Sequence, residues 1–67
     1  MTAQRRNHVE TEVVEGIEYK LFTDSIGPAI MVTDLDAGEV VTKLNYKTEA
    51  IAGQMFDTAV AAAKKTH

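Results

Sequence analysis

The apolar residues of this chain change their spacing once, near Lys47, and that single change restricts the fold more than any motif does. Before it, Val9, Thr11 and Val13 alternate with Glu10 and Glu12, and Ile17, Tyr19 and Leu21 alternate with Glu18 and Lys20. Val40, Thr42 and Leu44 alternate in the same way with Glu39, Val41, Lys43 and Asn45. A repeat of two places alternate side chains on one side of a pleated strand. After Lys47 the spacing fits a helix: Ile51, Ala52, Met55, Phe56, Ala59, Val60 and Ala63 fall on one side, with Glu49, Gln54, Asp57, Thr58 and Ala61 on the other. Thr48 has the hydroxyl of an N-cap, Glu49 follows in the first turn, and Lys64 and Lys65 suit the negative end of the helix dipole. Gly53 costs such a helix about 1 kcal/mol relative to alanine.

The breaks between these runs read as turns. Asp24-Ser25-Ile26-Gly27-Pro28 is one, and Pro28, which cannot donate to a ladder, belongs at the first position of a strand. Ala29-Ile30-Met31-Val32-Thr33 is almost continuously apolar, as expected for a strand covered on both faces. Asp34-Leu35-Asp36-Ala37-Gly38 is the next turn. For the first hairpin, a three-residue loop, Val14-Glu15-Gly16, would pair Val13 with Ile17, Thr11 with Tyr19 and Val9 with Leu21, gathering the apolar residues on one face. That register sends Glu10, Glu12 and Glu18 out from the opposite face, with Glu15 at the tip.

The expected fold is α+β: an antiparallel meander of three or four strands packed on one C-terminal helix. Its core would comprise Val9, Val13, Ile17, Tyr19, Leu21, Ile30, Val32, Val40, Leu44, Ile51, Met55, Phe56 and Val60. Residues 1–7 carry no hydrophobic period and read as a flexible basic leader, leaving 8–65 as a single domain. A chain of 67 residues has room for one small core only. Phe22, Met31 and Val41 would point away from the helix on three neighbouring strands, forming a candidate apolar interface. Self-association through that face or through the fourth-strand edge, giving a homodimer, is expected. The element order resembles that of HicB-type antitoxins and of the amino-terminal domains of phage integrases; no residue motif here carries either match.

Composition narrows the chemistry. Cysteine is absent, which excludes disulfides and thiol catalysis. The one serine is Ser25, the histidines are His8 and His67 near the ends, and Gly16, Gly27, Gly38 and Gly53 are too far apart for a phosphate loop. No catalytic residues are assigned, an enzyme is not expected, and no cofactor is implied. Asp34, Asp36 and Gly38 begin like a calcium loop, but the twelfth position is Asn45, so no metal is assigned.

The net charge of −3 conceals a division. Arg5, Arg6, Lys64 and Lys65 lie near the ends, and only Lys20, Lys43 and Lys47 stand among all ten acids between them, a net of −7. An acidic body repels phosphates and attracts basic protein surfaces. The expectation is a small non-catalytic interaction module using Glu10, Glu12, Glu15 and Glu18 to bind a basic partner, in the manner of an inhibitor or antitoxin of a nucleic-acid-handling protein. A dimeric nucleic-acid-binding module using Arg5, Arg6, Lys64 and Lys65 is the alternative, with a structural or assembly subunit as a third. Nucleic acid is the less favoured partner. No apolar run is long enough to span a membrane and no export leader is evident, so a cytoplasmic location is expected.

Overall fold

The computed structural model of the protein describes residues 9–65. It has four strands and one helix in chain order: β1 (Glu10–Val14), β2 (Ile17–Thr23), β3 (Pro28–Asp34), β4 (Glu39–Asn45) and α1 (Glu49–Lys65). The strands pair in sequence order, β1-β2-β3-β4, each antiparallel to the next. The α+β meander is therefore the observed architecture. The leader at residues 1–7, with Arg5 and Arg6, lies outside the described residues. No helix among the described residues is long and apolar enough to cross a membrane.

The first hairpin corrects the expected register. Val14 pairs with Ile17, Val13 with Glu18, Glu12 with Tyr19 and Glu10 with Leu21, so the loop has two residues, Glu15 and Gly16. Both have positive φ, 53° and 80°, the pattern of a type I′ turn. The twist of that turn matches the twist of paired strands, and this outweighs the gain from aligning every apolar residue on one face. The consequence is an inversion of β1. Val14 packs toward the helix, Val13 lies on the outer face, and Glu10 and Glu12 share the helix side with Leu21 and Tyr19.

The core is correspondingly smaller than expected. Leu21, Ile30, Ala52, Phe56 and Val60 are buried together, with Val14, Tyr19, Val32 and Tyr46 packed around them. Leu21 and Ile30 are direct cross-strand partners, as are Tyr19 and Val32. Val9, Val13, Val40, Leu44, Ile51 and Met55, all expected in the core, are exposed. For Val9 and Val13 the reason is the inverted strand. For Leu44, Ile51 and Met55 it is the position of the helix, which packs over β1, β2 and β3, so that all seven residues of β4 stay exposed. A bulge explains Val40. Val32 pairs with Thr42 but Thr33 pairs with Val40, leaving Val41 as the extra residue and moving Val40 to the outer face.

The second and third turns and the helix start follow the sequence reading. Pro28 opens β3. Thr48 Oγ1 accepts from the Ile51 amide at 3.1 Å, the bond expected of an N-cap. No second layer packs on the outer face of β3 among the described residues, yet Ala29 on that face is buried opposite Phe22, and Met31 and Thr33 are half-buried; on the helix side Ile30 is buried and Val32 half-buried.

Candidate acidic docking end

A meander puts alternate turns at the same end of the sheet, and here the first and third turns are joined. The Leu35 amide donates to the Gly16 carbonyl at 2.9 Å. A Cβ on Gly16 would lie 3.2 Å from an Asp36 carboxylate oxygen, so glycine lets the two turns close. The third turn is fixed from within: Asp34 Oδ1 accepts from the amides of Asp36 (3.0 Å) and Ala37 (3.2 Å), and the Asp34 carbonyl accepts from Gly38 (2.8 Å). Gly38 supplies the left-handed φ of 70° that ends the turn. The Asp34 carboxylate is thus engaged as a turn cap, and no metal-holding group of His, Cys, Asp or Glu occurs among the described residues.

This clasp gathers Glu15, Asp34, Asp36 and Glu39 at one end of the sheet, with Glu18 one position along β2. The sequence reading missed Asp34, Asp36 and Glu39 as members of the acidic group. The signal that could have found them is topological: in any four-stranded meander the first and third turns share an end.

The expected face of Glu10, Glu12 and Glu18 does not form. Glu10 and Glu12 lie on the helix side of β1, whereas Glu18, opposite Val13 and Thr33, projects from the outer face. Glu12 is paired, its Oε2 lying 3.1 Å from Lys64 Nζ. The four glutamates therefore wrap the hairpin instead of facing one way, with Glu15 at the tip as expected. Lys64, offered as a nucleic-acid contact, is the partner in that ion pair, and Lys65 is exposed at the end of α1.

The opposite end is differently balanced. Asp24 Oδ2 lies 2.6 Å from Lys43 Nζ, and Asp24 Oδ1 accepts from the Ile26 amide (2.9 Å), the Gly27 amide (3.1 Å) and Asn45 Nδ2 (3.1 Å). Lys43, followed by the Gly27 amide, holds the Asp24 carboxyl well below the usual carboxylate range. This negative charge is neutralised locally; at the clasped end Glu15, Asp36 and Glu39 are exposed.

Phe22 and Met31 occupy the outer face as expected, Phe22 opposite Ala29. Met31 lies between Lys20 and Lys43, and Val41 sits at the bulge, so the apolar cluster is interrupted by lysines. Compared with protein-family models, with curated proteins and with solved structures, the chain matches none.

Proposed function

We propose that the protein is a non-catalytic interaction module that docks its acidic end on a basic surface of another protein, and that it does so as a homodimer. The observation that supports this reading is the Leu35–Gly16 hydrogen bond, which joins two turns and sets Glu15, Asp34, Asp36 and Glu39 beside one another. Carboxylates held on a hydrogen-bonded frame present a fixed negative field, and such a field steers association with a positive surface and weakens in salt. Nucleic-acid-handling proteins are one class with such surfaces, because a surface built for phosphates also accepts spaced carboxylates.

The test is titration with an Arg/Lys-rich peptide at low and high salt. The wild-type protein should bind at low salt and release as salt rises. Reversal of Glu15, Asp36 and Glu39 to lysine should abolish binding, while reversal of Glu49 and Asp57 on α1 should weaken it far less. Equal losses in the two variants would show that net charge alone is responsible and would reject a docking end.

A further inference from the structure

No further inference is drawn: the strongest candidate, the exposed apolar patch of Leu44 and Met55 between β4 and α1, is an unpartnered face, and nothing in the structure shows what covers it.

Discussion

Lys64 Nζ lies 3.1 Å from Glu12 Oε2, and this contact exists only because β1 turns its glutamates toward the helix. With a three-residue loop Glu12 would point to the far side of the sheet, out of reach of α1. The pair thus reports the two-residue turn, and through it the placement of every side chain on the first strand. Both side chains are about half exposed, so the pair itself should contribute about 0.5 kcal/mol, reduced by salt. A double-mutant cycle on Glu12→Gln and Lys64→Met should return a coupling of that size; zero coupling at low salt would mean the pair is not formed in solution.

Val13 and Val14 are adjacent and chemically identical, yet only Val14 packs on the core. Val14→Ala should cost about 1–2 kcal/mol from lost burial, whereas Val13→Ala should fall within about 0.5 kcal/mol of wild type. Urea denaturation of the two variants gives the comparison. The reverse order would restore the three-residue loop.

Glu15 occupies a left-handed conformation that disfavours most side chains, and asparagine is preferred there before glycine in a type I′ turn. Glu15→Asn should stabilise the domain by about 0.5–1 kcal/mol, a rise of several degrees in Tm for a chain of this size. Gly16→Ala should do the opposite, since φ is 80° and the added carbon meets the Asp36 carboxylate. Thermal melts followed by circular dichroism would check both signs.

Asp24 links acidity to stability. Its folded pKa is depressed below the ordinary value of 3.8, first by Lys43 and then by the Gly27 amide. A depressed carboxylate contributes stability that is complete above its unfolded pKa and is lost as pH falls toward its folded value. Wild type should therefore lose stability on acidification below about pH 4 more steeply than Asp24→Asn, which has no such proton to take up. Parallel acid-side slopes for the two proteins would contradict the role given to the Lys43 contact.

Thr48 caps α1, and Thr48→Ala should cost about 1 kcal/mol by freeing the Ile51 amide. Thr48→Ser should retain nearly all of the stability, because serine keeps the hydroxyl acceptor. Loss in both variants would show that the methyl group, not the hydroxyl, is responsible.

The elements themselves were legible from a period of two for Ile17 to Leu21 and of 3.6 for Ile51 to Ala63, from the unbroken apolar run Ala29 to Thr33, and from Pro28 and Thr48 as starts. The faces of the outer strands were less so. Placing Val13 inward assumed that apolar alignment decides a hairpin register, whereas Glu15-Gly16 shows turn geometry deciding it. Leu44, Ile51 and Met55 carry correct strand and helix periods but are exposed, because periodicity says which side of an element is apolar and not how far a helix reaches across a sheet. The acidic end was half legible: Glu15 and Glu18 were identified, but Asp36 and Glu39 join them only through the pairing of turns distant in sequence.

The clasped turns are the surface proposed to meet a basic partner. Amide chemical-shift mapping during titration with the Arg/Lys-rich peptide addresses it residue by residue. The largest changes should fall on Gly16, Leu35, Asp36, Gly38 and Glu39, with small ones at Asp24–Gly27 and along α1. Shifts centred on α1 or on the Asp24 turn, with Gly16 and Asp36 unmoved, would contradict it.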